Sequence, residues 1–217
     1  MTEPKSVFFD LDGTLTDPQE GIVACIQHAL NRLEIAIDPE IDLKTFIGPP
    51  LRASFVTLCQ DKDIAERAVS IYRERFSTIG LFENELYDGI VESLETINRK
   101  LDSVFVVTSK PTVYAQRIIR HFALDSFFRR VYGSHLDGRL SDKTALLAHV
   151  LKREKISPEN AVMIGDRKYD ITGAAKNGVR SIGVAWGYGS EQELLEAGAD
   201  LISYRPIDLP EQVFNVC

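Results

Sequence analysis

At 217 residues and 44% hydrophobic content, the chain is long enough for one ordinary domain with a modest insertion and apolar enough for a real core. A net charge of −7 with no basic tract argues against a nucleic-acid polymer as partner, while a small anion could still bind locally. The opening Met1-Thr2-Glu3-Pro4-Lys5 is polar and no later apolar run spans a bilayer, so the expected location is cytoplasmic, with no membrane partner.

The first informative segment is Val7-Phe8-Phe9-Asp10-Leu11-Asp12-Gly13-Thr14. Three apolar residues ending at an acid predict a buried strand whose last residue emerges at a sheet's carboxyl edge, where open α/β folds bind ligands. Asp10 and Asp12 would bracket that edge, before a turn that Gly13 permits. Two close carboxylates repel unless a cation or strong donors lie between them. Oxygen-only ligands point to a hard divalent metal, magnesium before zinc. Asp-Gly is also an ordinary turn signal, and the segment by itself leaves both readings open.

Residues 18 to about 80 carry helical signals and no convincing strand. Ile22, Ile26, Ala29, Leu30 and Leu33 recur at three- and four-residue steps after Asp17-Pro18, and Phe55, Leu58 and Cys59 suggest a short second helix after Gly48-Pro49-Pro50. Ile64, Ala68, Ile71, Tyr72 and Phe76 form a third stripe ending near Gly80. From residue 88 helix and strand alternate. Helices are predicted around Ile90–Ile97, Val113–Phe122, Leu146–Leu151 and Ile171–Lys176, and strands at Val104–Val107, Ala161–Ile164 and Ser181–Val184. Short continuous apolar strands between helices indicate a parallel sheet covered on both faces. The expected fold is therefore α/β, a Rossmann-like parallel sheet with an inserted all-helical cap. Residues 1–15 and 84–217 would form the core and 16–83 the cap.

Three further places put reactive groups at strand ends or helix starts. Thr108-Ser109-Lys110-Pro111 follows the second core strand, with Pro111 suited to the first turn of the next helix. Hydroxyls and the positive helix end could bind an anion there, or Thr108 and Ser109 could simply cap the helix. Gly165-Asp166-Arg167-Lys168-Tyr169-Asp170 repeats the first strand's logic, with Asp166 at a strand end and Asp170 one helical turn later; a surface helix capped by Asp166 is the other reading. Lys143 begins a helix, where the dipole disfavours it, and either sits on the surface or offsets acids at the sheet edge. Lys110 and Arg167 could offset negative charge beside these segments. The three cysteines, Cys25, Cys59 and Cys217, form no CxxC pair and are expected reduced; the four histidines lack metal-ligand spacing.

Together, Asp10-Leu11-Asp12-Gly13-Thr14, Thr108, Lys143 and Gly165-Asp166 with Asp170 resemble, in order, the four motifs of the haloacid dehalogenase superfamily. The helical insertion after the first motif looks like the small cap of its phosphoglycolate phosphatase and 5′-nucleotidase-like branch. Phe46-Ile47-Gly48-Pro49-Pro50-Leu51 and Gly183-Val184-Ala185-Trp186-Gly187-Tyr188-Gly189 are similar to segments of that branch. The resemblance implies Asp10 as nucleophile forming an aspartyl-phosphate, Asp12 as general acid and base, and Thr108 and Lys143 as holders of the transferring oxygens. It implies Mg2+ bound by Asp10, the Asp12 carbonyl and Asp166, with Asp170 in support. Gly13, Ser109 and, from the cap, Arg52 are the expected substrate-binding residues; Arg52 otherwise reads as an exposed helix-start arginine. The implied substrate is a small phosphorylated metabolite, 2-phosphoglycolate or a nucleoside 5′-monophosphate, acted on by a monomer or homodimer. A phosphomutase of β-phosphoglucomutase type and a catalytically silent binding module are the alternatives.

Overall fold

The computed structural model describes residues 5–101 and 103–216; Cys217 and the first four residues of the polar opening lie outside them. In chain order, β1 is Ser6–Phe9 and β2 Thr16–Asp17, followed by helices α1 (Gln19–Arg32), α2 (Leu51–Cys59) and α3 (Lys62–Arg75). Then come β3 (Glu85–Leu86), α4 (Ile90–Asn98), β4 (Val104–Pro111), α5 (Thr112–His121), β5 (Arg130–Ser134) and α6 (Lys143–Glu154). The chain finishes with β6 (Ala161–Gly165), α7 (Lys168–Lys176), β7 (Arg180–Val184), α8 (Glu191–Glu196), β8 (Leu201–Ser203) and α9 (Leu209–Asn215).

Six strands form one parallel sheet in the order β5-β4-β1-β6-β7-β8, with helices around it. β1 pairs with β4 on one side and with β6 on the other, so the strand order reverses at β1. That is the switch point at which open α/β sheets gather ligands. All four residues of β1 are buried, as a strand with helices on both faces requires. Phe8, Phe105 and Met163 project to one face and pack with Leu146, Leu147 and Val150 of α6 and Ala174 of α7. This packing fixes the faces of α6 and α7 whose first turns carry Lys143 and Asp170.

Pro18–Glu85 forms a separate compact unit, and the rest of the described chain forms the sheet-bearing one. The first is helical because Ile22, Cys25, Ile26, Ala29 and Leu30 bury one face of α1, and because Asp61 caps α3 by accepting from Ile64 N–H at 2.9 Å. On α3 the buried stripe is Ala65, Ala68, Val69, Tyr72 and, just beyond its end, Phe76. Ile64 and Ile71, expected inside, are only half-buried, and the smaller alanine and valine turn inward instead. A π-helical turn, Phe76–Gly80, ends the segment. Gly21 and Gly80 touch there, since a β-carbon on Gly21 would lie 2.0 Å from the Gly80 carbonyl oxygen.

Two strands of the six-stranded sheet went unread in the sequence. β5 is polar at its start and contains Gly133, and β8 has three residues; both are edge strands, which need less apolar character than β1 or β6. Among the described residues Cys25 and Cys59 are in no disulfide, and Cys25 Sγ accepts a hydrogen bond from Arg75. Among the described residues, no helix is long and apolar enough to cross a membrane.

Candidate active site

The site forms where β1, β4 and β6 end side by side and α6 and α7 begin. β1 stops at Phe9, and the Asp10 N–H still donates to Ile164 O of β6 at 2.9 Å, which holds the acid at the sheet edge. The chain then turns tightly, with Leu11 O accepting from the N–H groups of Thr14, Leu15 and Thr16. Gly13 adopts φ +78°, and its N–H donates to Thr16 O at 2.8 Å. Its contribution to the site is room: a β-carbon there would lie 2.1 Å from Asp166 Oδ2.

Lys143 is the centre of the arrangement. Asp142 caps α6 by accepting from Ala145 N–H at 2.9 Å, which puts Lys143 at the first helical position, 4% exposed. Its Nζ lies 3.0 Å from Asp10 Oδ1 and 2.7 Å from Asp170 Oδ1, and donates to Val107 O at 2.9 Å. One ammonium thus ties β1, β4 and α7 together. Burial works against its charge, but Asp10 and Asp170 prevail and hold its pKa above the usual lysine value. Asp10 Oδ1 also accepts from Leu11 N–H at 2.8 Å.

Asp166 follows β6 and is fully buried. Tyr188 N–H donates to its Oδ2 at 2.8 Å and the Thr14 hydroxyl to its Oδ1 at 3.4 Å. The Ala185–Gly189 loop fits closely around it: a β-carbon on Gly187 would lie 2.3 Å from Asp166 Cβ, and one on Gly189 would lie 2.0 Å from Asp166 O. Trp186 Nε1–H donates to Thr14 O at 3.1 Å, and the Tyr188 hydroxyl bonds the Asp17 carboxylate. Burial pushes the Asp166 carboxyl well above the usual carboxylate range, and the charges of Asp170 and Asp10 add to the effect. Asp170 is likewise raised by burial, to about 6, against the pull of Lys143. It also serves α7 structurally, accepting from Arg167 N–H at 3.2 Å. The capping role that the sequence offered to Asp166 thus falls to Asp170, which also pairs with Lys143.

Oxygen atoms of Asp10, Asp166 and Asp170 all lie within 4.8 Å of one another. Three buried carboxylates with oxygen donors only, two of them with raised pKa, fit a hard divalent cation better than they fit each other. Asp12 faces elsewhere. Its Oδ2 pairs with Lys110 Nζ at 2.7 Å, while its Oδ1 is buried and has no hydrogen-bond partner among the described residues. Burial raises the Asp12 pKa and Lys110 opposes the rise.

Thr108 is buried near the end of β4, its Oγ1 accepting from Lys110 N–H at 3.3 Å. β4 continues to Pro111, so Pro111 precedes α5 and does not lie in its first turn; no side chain caps that helix. Neither Thr108 nor Ser109 therefore spends its hydroxyl on a cap. Arg167 Nε pairs with Glu193 at 2.9 Å, and its charge also pulls against the rise of the Asp166 carboxyl. Arg52, on the helical unit, pairs with Glu66 at 2.6 Å and is substantially exposed. The sequence did not single out Thr14, Gly133 or Ser134. The repeated glycines after β7 were the signal for the loop around Asp166.

Buried acids tied by a lysine at the switch point of a parallel sheet lie where open α/β folds gather their ligands, and perturbed acids cluster at such sites. Residues 7–184 match the haloacid dehalogenase-like hydrolases, and the chain belongs to that family. It is 49% identical over 190 residues to the 5′-nucleotidase of Pseudomonas aeruginosa, covering 87% of this chain and 86% of that protein. It is 41% identical over 187 residues to tyrosine-protein kinase PtkA of Mycobacterium tuberculosis, covering 86% of this chain and 64% of the kinase. A predicted phosphatase from Clostridium acetobutylicum has a solved structure that matches with a TM-score of 0.93 at 40% identity, over 99% of this chain and all of that one.

Proposed function

We propose that the chain is a magnesium-dependent phosphatase of small phosphomonoesters working through an aspartyl-phosphate on Asp10. The observation that carries this reading is the Lys143 ammonium lying between Asp10 Oδ1 and Asp170 Oδ1, with Asp12 two residues beyond. Lys143 and the Leu11 N–H both hold Oδ1 of Asp10, which fixes the carboxylate against rotation and leaves Oδ2 to attack.

In the first step an Asp10 oxygen bonds to phosphorus as the ester P–O bond breaks, and Asp12 gives its proton to the departing oxygen. In the second, the Asp12 carboxylate takes a proton from water, whose oxygen bonds to phosphorus as the bond to Asp10 breaks. Inorganic phosphate leaves and Asp10 is restored. Thr108 supplies a hydroxyl for the phosphoryl oxygens, with Ser109 beside it, while Lys143, its three N–H groups directed at Asp10, Asp170 and Val107 O, contributes positive charge. Asp10, Asp166 and the Asp12 carbonyl would hold the magnesium ion, with Asp170 in support. When bound, the cation neutralises these acids and the charge on the phosphoryl group.

A nucleoside 5′-monophosphate is the preferred substrate class because the 49%-identical relative is named a 5′-nucleotidase. 2-Phosphoglycolate comes second, since relatives of that name are 23–27% identical. Phosphate release from both, from sugar phosphates and from an aryl phosphate, with and without magnesium, tests the reading. Turnover that survives in Asp10→Asn sinks it. A second reading, transfer of the phosphoryl group to a tyrosine hydroxyl in place of water, is favoured by the likeness to PtkA. Label passing from the γ-phosphate of ATP to a tyrosine peptide distinguishes it.

A further inference from the structure

Lys110 is an unusual residue to find inside a protein, with its side chain only 6% exposed. It sits on an irregularity. Between Thr108, which pairs with Gly133, and Pro111, which pairs with Ser134, β4 carries two residues that have no counterpart on β5. Such bulges interrupt the ladder and re-aim side chains, and they gather beside active sites.

β5 is shaped to receive this one. The Ser134 hydroxyl donates to Ser109 O at 2.8 Å, and Gly133 N–H donates to the Thr112 hydroxyl oxygen at 3.1 Å. Gly133 must lack a side chain, since a β-carbon there would lie 2.3 Å from Lys110 O. The backbone that carries Lys110 is thus pinned on both sides, and its ammonium arrives 2.7 Å from Asp12 Oδ2. Among the described residues the other oxygen of Asp12 is buried without a hydrogen-bond partner, a costly state for an acceptor that has no work to do.

We propose that Lys110 is the positioning residue of Asp12: fixed by the β4 bulge, it takes Oδ2 and leaves Oδ1 as the single oxygen that exchanges a proton with leaving group and water. The proposal rests on the assignment of Asp12 as general acid and base. Lys110 acts through Asp12. Without it the carboxyl group can rotate, and proton transfer to a poor leaving group suffers first.

The test is the dependence of kcat/KM on the leaving group, because kcat/KM reports phosphoryl transfer to Asp10 and excludes the later hydrolysis. Nitrophenyl, phenyl and alkyl phosphates are compared in magnesium buffer for the wild type, Lys110→Met, Lys110→Arg, Asp12→Asn and the Asp12→Asn/Lys110→Met double variant. Lys110→Met is expected to lower the alkyl-to-nitrophenyl ratio of kcat/KM by about tenfold or more, part of the 10²–10⁴ that a general acid supplies. Lys110→Arg should recover part of that ratio, and the double variant should be no worse than Asp12→Asn alone. Should Lys110→Met fail to fold, Ser134→Ala loosens the same bulge and is expected to shift the ratio in the same direction by a smaller factor. An equal fall for every leaving group, a raised KM alone, or an unchanged ratio overturns the role of Lys110. If Asp12→Asn shifts the ratio and the Lys110 and Ser134 variants do not, Lys110 alone is misassigned. If Asp12→Asn leaves the ratio at the wild-type value, the assignment of Asp12 falls and takes the proposal with it.

Discussion

Gly13 and Asp166 share one space: a β-carbon on the first would lie 2.1 Å from a carboxylate oxygen of the second. Gly13 also holds φ +78°, which costs a residue with a side chain about 1–2 kcal/mol. Gly13→Ala is therefore expected to lower the melting temperature and to displace Asp166, reducing phosphate release by about a hundredfold or more. Thermal denaturation and a magnesium titration of activity check both effects. A variant with wild-type affinity for magnesium would show that Asp166 had not moved.

Removing the charge of Lys143 leaves Asp10 and Asp170 facing each other in a buried site. Lys143→Met is expected to cost about 3–5 kcal/mol of stability, the usual penalty for breaking a buried pair, and to abolish turnover. Urea denaturation measures the first. A stability loss below about 1 kcal/mol would mean that the two acids shed their charge without cost.

The acids also set a pH dependence. The carboxyl of Asp170 is raised from 3.8 to about 6, and that of Asp166 is raised well above its ordinary value, both first by burial. Between the unfolded and folded values the unfolded chain binds fewer protons than the native one, so metal-free stability falls as pH rises from about 4 through about 6. Magnesium bound to the ionised acids would reverse this. Melting temperatures with chelator and with magnesium are expected to converge near pH 4 and to separate progressively above it. A constant gap across the range would contradict the linkage.

Arg52 is held by Glu66 in an exposed pair, which is worth at most about 1 kcal/mol. Arg52→Ala should hardly change the melting temperature. Its expected effect is a raised KM for the true substrate with little change for a generic aryl phosphate. Equal losses on both would remove Arg52 from substrate recognition.

Much of the fold was legible because it is local in origin. The apolar runs at 7–9, 104–107 and 161–164 announced buried strands, and the helices of Pro18–Glu85 showed in their three- and four-residue spacing. β5 and β8 were not legible, since edge strands carry weak patterns and their identity comes from the neighbour they pair with. Asp166 stood out at a strand end, but the loop that encloses it lies some twenty residues on, and the connection is made in space by Tyr188 N–H and the close fit of Gly187 and Gly189. Lys110 and Arg167 looked equivalent, each basic and each beside a motif. One is pinned against Asp12 and the other is taken by Glu193.

By itself the sequence determined which acids stand at strand ends and in what order, because an apolar strand followed by a polar turn is written in consecutive residues. It determined the helical character of the insertion for the same reason. Only the tertiary structure decided that Lys143 would reach across to both Asp10 and Asp170, that Asp12 would turn to Lys110, and that a bulge against Gly133 and Ser134 would aim that lysine. These choices depend on strand order, register and the space left by glycines far apart in the chain, and none of them follows from local sequence.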